Sequence, residues 1–177
     1  MPTDTPPHPA LAAAHLRGVL VDLDGTLIDT VGDFEVALGR ALAEIGKPPV
    51  SRDFIARTVG KGSEQLVRST LAHAGAPDSE YDTLWAGYQR HYLAVNGQHS
   101  RVYDGVVEGL NLLKARGLRL ACLTNKPTAF ALPLLASTGL DRYFEVVRGG
   151  DAFERKKPDP LPLLKTCELL GLAPAET

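Results

Sequence analysis

Residues 19–26 read Val19-Leu20-Val21-Asp22-Leu23-Asp24-Gly25-Thr26, a short apolar run that stops abruptly in two carboxylates and a turn. A continuous apolar run of this length suits a strand buried on both faces, as in a parallel sheet, and the polar cluster marks its carboxyl end. Two further stretches repeat the form. Leu118-Arg119-Leu120-Ala121-Cys122-Leu123 ends in Thr124-Asn125-Lys126-Pro127, and Phe144-Glu145-Val146-Val147 is followed by Gly149-Gly150-Asp151. Helical stretches precede and follow the second of these runs, Val106 to Arg116 closed by Gly117 and Thr128 to Thr138 closed by Gly139. Strands alternating with helices predict βαβ crossovers and a parallel α/β sheet. A further helix is expected from about Leu161 to Gly171.

The stretch from Thr30 to Gln98 has a different period. Apolar residues recur at helical spacing at Phe34, Leu38, Leu42 and Ile45, at Leu66, Val67 and Leu71, and at Tyr81, Leu84, Trp85, Tyr88, Tyr92 and Leu93. Glycine and proline punctuate these runs, and no strand pattern interrupts them. The expected division is a disordered proline-rich tail over 1–15, an α/β core over 16–29 and 100–177, and an inserted α-helical module over 30–99. Two crossings, near Ile28 to Thr30 and His99 to Asp104, would connect the module to the core.

Charge and hydropathy narrow the class. The chain has 177 residues, with 19 Lys and Arg against 21 Asp and Glu, so a nucleic-acid partner has no electrostatic footprint to meet. No apolar run approaches the roughly 20 residues that cross a bilayer, and residues 1–9 carry neither a basic nor an apolar leader. A cytoplasmic protein without a membrane partner is the expectation. Cys122 and Cys167 lack metal spacing, and no disulfide is expected.

In open parallel sheets, ligands bind beyond the carboxyl ends of the strands, and all three polar clusters fall there. Asp22 and Asp24, two positions apart on extended chain, project to one side; their repulsion favours a bound cation or a retained proton. Thr124 and Asn125 add a hydroxyl, an amide and backbone N–H groups, and Lys157, fixed by Pro158, adds a cation. Two acids, a hydroxyl, an amide and a lysine make a site for a phosphoryl group and a hard divalent ion. A calcium loop is the rival reading, since Asp22, Asp24, Thr26 and Asp33 fall at positions 1, 3, 5 and 12 of an EF-hand. Leu27 then occupies the position that requires glycine, and a strand precedes where a helix should. Lys156 is the alternative to Lys157 as the catalytic lysine, and the Pro-x-Pro that follows favours Lys157. The five histidines show no spacing with acids that would suggest zinc or a triad, and no role is assigned to them.

Asp22-Leu23-Asp24-Gly25-Thr26, Leu123-Thr124-Asn125 and Lys157-Pro158-Asp159-Pro160, in that order and with a helical insertion after the first, closely resemble three signature motifs of the haloacid dehalogenase-like (HAD) phosphohydrolases. The resemblance runs from Arg17 to the end of the chain. Within that superfamily, Gly60-Lys61-Gly62, Tyr103-Asp104-Gly105-Val106, Leu123-Thr124-Asn125-Lys126 and Gly149-Gly150-Asp151 look most like phosphoglycolate phosphatases. The resemblance implies a Rossmann-like parallel sheet with an inserted α-helical cap domain, and Mg-dependent hydrolysis of a small phosphorylated metabolite, 2-phosphoglycolate first among the choices. It implies Asp22 as nucleophile, Asp24 as general acid and base, and Lys157 as the charge on the phosphoryl group. Thr124, Asn125, Gly25 and Thr26 would bind phosphate, and Mg2+ would sit between the Asp22 carboxylate, the Asp24 carbonyl and a phosphate oxygen. In the cap, Gly60, Lys61 and Gly62 would meet the substrate's carboxylate. A monomer or homodimer is expected.

The family also carries a fourth motif, a Gly-Asp followed by another Asp after a further strand. Residues 172–177, Leu172-Ala173-Pro174-Ala175-Glu176-Thr177, stand where that strand should begin. The expectation is therefore a fragment whose core is incomplete at the C-terminus, with the strand that carries Asp22 at an open edge and one acidic magnesium ligand missing. A phosphonate hydrolase, a phosphoglucomutase-like or other sugar-phosphate enzyme, and an inactive remnant that only binds phosphate are the competing readings.

Overall fold

The computed structural model describes residues 15–177, so all but the last residue of the expected tail lies outside the described residues. Three strands form a parallel sheet in the order β1-β4-β5: β1 (Gly18–Val21), β4 (Arg119–Leu123) and β5 (Val146–Arg148). Val19 pairs with Leu120 and Cys122 with Val147, so the three carboxyl ends finish side by side. The middle strand is the most enclosed, with Leu120, Ala121 and Cys122 fully buried, as a strand covered on both faces requires. β1 lies at one edge of this sheet, the position expected for the strand that carries Asp22.

The helices fall close to where periodicity and glycine stops put them. In the core, α5 (Val106–Ala115), entered through Gly105, precedes β4, and α6 (Thr128–Thr138), closed by Gly139, follows it; α7 (Leu161–Leu169) follows β5. The insertion contains α1 (Val31–Glu44), α2 (Arg52–Thr58), α3 (Ser63–His73) and α4 (Tyr81–Val95). These four helices enclose an apolar cluster built on Leu38, Leu42, Ile55, Leu66, Leu84 and Tyr88, which Phe130 of α6 joins. One expected member is out of phase. Leu93 is 59% exposed, because the buried stripe of α4 runs through Leu84, Tyr88, Tyr92 and Val95 and leaves the next residue about 100° round the helix.

The two crossings are not plain linkers. Ile28–Asp29 (β2) and Arg101–Val102 (β3) pair antiparallel, Ile28 with Val102 and Asp29 with Arg101, so the chain leaves and re-enters through one ribbon. Beside it the fully buried Asp33 accepts hydrogen bonds from the N–H groups of Gly97 and His99, both at 2.7 Å, and from the Ser100 hydroxyl. The calcium-loop reading required that carboxylate elsewhere. Here it clasps the first turn of α1 to the returning chain.

Candidate active site

The turn after β1 is drawn tight by Leu27 N–H and Ile28 N–H, both donating to the Leu23 carbonyl, with Gly25 at φ 76° where a side chain would be strained. This leaves Asp22 and Asp24 at the mouth of the sheet. Oδ1 of Asp22 accepts from the Leu23 N–H at 2.8 Å and lies 3.0 Å from the Lys157 ammonium. The same ammonium donates to the Leu123 carbonyl at 2.7 Å, so Lys157 bridges the ends of β1 and β4. It is Lys157, not Lys156, that reaches Asp22; Lys156 stands beside Gly62.

The segment after β4 is more enclosed. Thr124 is 2% exposed; its hydroxyl oxygen accepts from the Lys126 N–H, which leaves its own proton free to donate. The Asn125 amide is engaged with main chain: Nδ2 donates to the carbonyls of Gly60 and Lys157, and Oδ1 accepts from the Lys157 N–H. Instead of offering its amide to a ligand, Asn125 staples the 60–62 loop of the insertion and the Lys157 loop to the end of β4. Gly150 explains how these loops come so close. A Cβ there would stand 2.3 Å from the Asn125 carbonyl oxygen, so only glycine permits the approach of the loop after β5.

Asp22, Asp24, Gly60, Gly62, Thr124 and Asn125 thus face one narrow cleft. Three expected binding residues stand apart from it. Gly25 and Thr26 are exposed on the outside of the turn and shape the loop without lining the cleft, and Lys61 is exposed between two glycines that do line it. Asp151, exposed, turns its carboxylate to the N–H and hydroxyl of Thr128 and caps α6.

Two residues that sequence reasoning passed over are central to the geometry. Lys126, 3% exposed, places its ammonium 3.0 Å from Asp24 Oδ1 and 2.5 Å from the hydroxyl of Tyr92 on α4. Burial pulls this ammonium below the ordinary lysine range, against the pull of Asp24, and burial likewise pushes the Tyr92 phenol well up. Lys126 stood in the quoted Thr124-Asn125-Lys126 run, so the signal was present; nothing in a single sequence distinguishes an inward lysine from a solvated one. Cys122, directly behind the site, is pushed up to about 12 by burial and then by Asp22, which makes it an inert core thiol.

A family model for haloacid dehalogenase-like hydrolases matches residues 16–177. A phosphoglycolate phosphatase of Thiobacillus denitrificans is 46% identical over 166 residues, spanning 91% of this chain and 72% of that protein. One of Nitrosospira multiformis is 44% identical over 162 residues, spanning 90% and 71%. Among solved structures, a predicted phosphoglycolate phosphatase from Haemophilus somnus superposes with a TM-score of 0.87 at 29% identity, covering 93% of this chain and 76% of the other.

Proposed function

The chain belongs to the haloacid dehalogenase-like hydrolases, and on that premise we propose that it hydrolyses a small phosphate monoester, 2-phosphoglycolate, to glycolate and phosphate. The observation that carries the reading is the placement of Asp22. Its carboxylate stands at the carboxyl end of β1, 3.0 Å from the Lys157 ammonium, with Asp24 two residues on and the Thr124 hydroxyl on the neighbouring strand end.

In this reading a carboxylate oxygen of Asp22 attacks phosphorus in line, forming an acyl phosphate as the bond to the ester oxygen breaks. Asp24 gives the departing alkoxide its proton. A water then attacks the same phosphorus, Asp24 takes its proton back, and phosphate leaves with Asp22 restored. Lys157 and the Thr124 hydroxyl meet the charge that develops on the transferring oxygens; single donors of this kind are worth about 3 kcal/mol in the barrier. Asn125 contributes by holding the loops that carry these groups.

The side chains at the cleft offer hard oxygens, the carboxylates of Asp22 and Asp24 and the hydroxyl of Thr124. That suits Mg2+, which is commonly held by one or two carboxylates together with water and substrate phosphate, and which when bound supplies neutralising charge at the phosphoryl group. The four inserted helices share an apolar cluster that only Phe130 of α6 joins among its buried members from the core, which supports reading 30–99 as a cap on a core of 16–29 and 100–177. Such a cap excludes water and selects the substrate. The choice of 2-phosphoglycolate rests on the names of the relatives and on the 60–62 loop, whose glycines leave main chain and the N-terminus of α3 beside the cleft.

The test is phosphate release from 2-phosphoglycolate with magnesium or with EDTA, beside Asp22→Asn. Magnesium-dependent turnover that falls at least about a thousandfold in Asp22→Asn is expected. Turnover surviving that substitution would sink the nucleophile assignment.

A further inference from the structure

The mechanism above leaves the buried lysine unused. Asp24 and Lys126 both belong to the strand ends of the sheet, yet the groups around them come from the insertion. The hydroxyl of Thr30, which precedes α1, donates to Asp24 Oδ1 at 2.8 Å, the oxygen that Lys126 also engages at 3.0 Å. The ammonium donates in addition to the Tyr92 hydroxyl and stands 4.7 Å and 4.6 Å from the ring centroids of Phe34 and Tyr92. Oδ1 thus holds two donors. Among the described residues no partner reaches Oδ2, and Asp24 is part of the cleft wall.

A lysine enclosed to this degree gives up most of its hydration, and a packed apolar side chain would fill the space at lower cost. The chain nevertheless spends its ammonium on one oxygen of the carboxyl group that the mechanism needs. Resting on the phosphatase reading, we propose that Lys126 is a positioning residue for Asp24. With Thr30 it ties Oδ1 back and leaves Oδ2 as the oxygen that faces the ester and the water. Through Tyr92 it makes that orientation depend on α4 being docked against the sheet. The aromatic seam supports the coupling, since Phe130 of α6 packs 4.8 Å from the Tyr92 ring and its carbonyl accepts from the Asn96 amide.

The readout is the dependence on leaving group, taken as the ratio of kcat/KM for 2-phosphoglycolate to that for p-nitrophenyl phosphate. The alkoxide of glycolate needs the proton of Asp24 and the nitrophenolate hardly does, while the folded fraction of any preparation cancels from the ratio. In Lys126→Met the ratio is expected to fall at least tenfold. Tyr92→Phe, which keeps the ring and its packing, should move the ratio in the same direction by a smaller factor, and it carries the test if Lys126→Met does not fold. Adding Tyr92→Phe to Lys126→Met should cost nothing further, because the tie is already gone. A ratio that stays level or rises, with the wild-type chain active on both esters, overturns this inference and leaves the phosphatase reading standing. A wild-type chain inactive on both esters overturns both.

Discussion

Asp33→Asn removes one charge from the clasp at the junction and changes no side-chain volume. Oδ2 of Asp33 takes the Gly97 N–H at 2.7 Å and the Ser100 hydroxyl, and Oδ1 takes the His99 N–H at 2.7 Å. An asparagine has one acceptor oxygen. Turned to satisfy Gly97 and Ser100, it sets its NH2 against the His99 N–H, so one charge-assisted bond is lost, at about 1.5–3 kcal/mol, and a donor is left without a partner. The two remaining bonds fall to neutral strength, about half. Against this, a buried carboxylate that forms no ion pair among the described residues is relieved of part of its desolvation penalty. The balance is a loss of about 3 kcal/mol, read as a shift of the urea midpoint at constant m, or as a fall in Tm of roughly 6–12 °C for a chain of this size. Hydrogen exchange should quicken first at Gly97 and His99. A loss under 1 kcal/mol, or unchanged exchange at those two amides, would refute the clasp as a stabilising element.

Gly150→Ala should cost about 1–3 kcal/mol and lower phosphate release at least tenfold, because its Cβ would overlap the Asn125 carbonyl and push the loop after β5 off the end of β4. Gly109→Ala, in α5 with nothing within 4 Å of the new atom, should instead raise the melting temperature slightly, by the roughly 0.5–1 kcal/mol that alanine gains over glycine in a helix. Burial pushes Asp151 up, but the Thr128 hydroxyl and N–H outweigh it and hold the carboxyl below its usual range. A depressed folded value stabilises above the unfolded value and is lost as pH falls through the folded one. The stability gap between the wild type and Asp151→Ala should therefore be constant from pH 6 to 8 and narrow below about pH 4; a gap that widens in acid would reverse the sign of the argument.

What could be read from the residues alone, and what could not, divides by physical range. The middle strand announced itself because a strand covered on both faces must be apolar throughout, so Leu120-Ala121-Cys122-Leu123 stands out from a chain of mixed polarity; Val19-Leu20-Val21 carries the same pattern but lies half-buried at the sheet edge, and the acids and hydroxyl mark the strand ends. Helix stops at Gly117 and Gly139 are equally local, since each needs only the left-handed backbone of its own residue. The Asp33 clasp joins groups 64 to 67 positions apart and adds no period to either segment. The β2–β3 ribbon, two residues to a strand, is too short for alternation to register.

The same division separates the two kinds of site residue. Asp22, Thr124 and Lys157 are each delivered by the strand end or loop beside them, so their types and order were enough to bring them together. Asn125 has the expected position and a different occupation, because its amide meets the carbonyls of Gly60 and Lys157, and neither encounter has a local signature. Tyr92 is the sharpest instance. Helical spacing places its ring in the buried stripe of α4, but the hydroxyl at the end of that ring reaches a lysine 34 positions on, which in turn holds Asp24. Periodicity reports which side of a helix is covered and is blind to the atom at the tip of a covered side chain. Groups that tie an inserted helix to a carboxylate at the strand ends are joined through such tips, so they come into view only when the two segments are seen packed together.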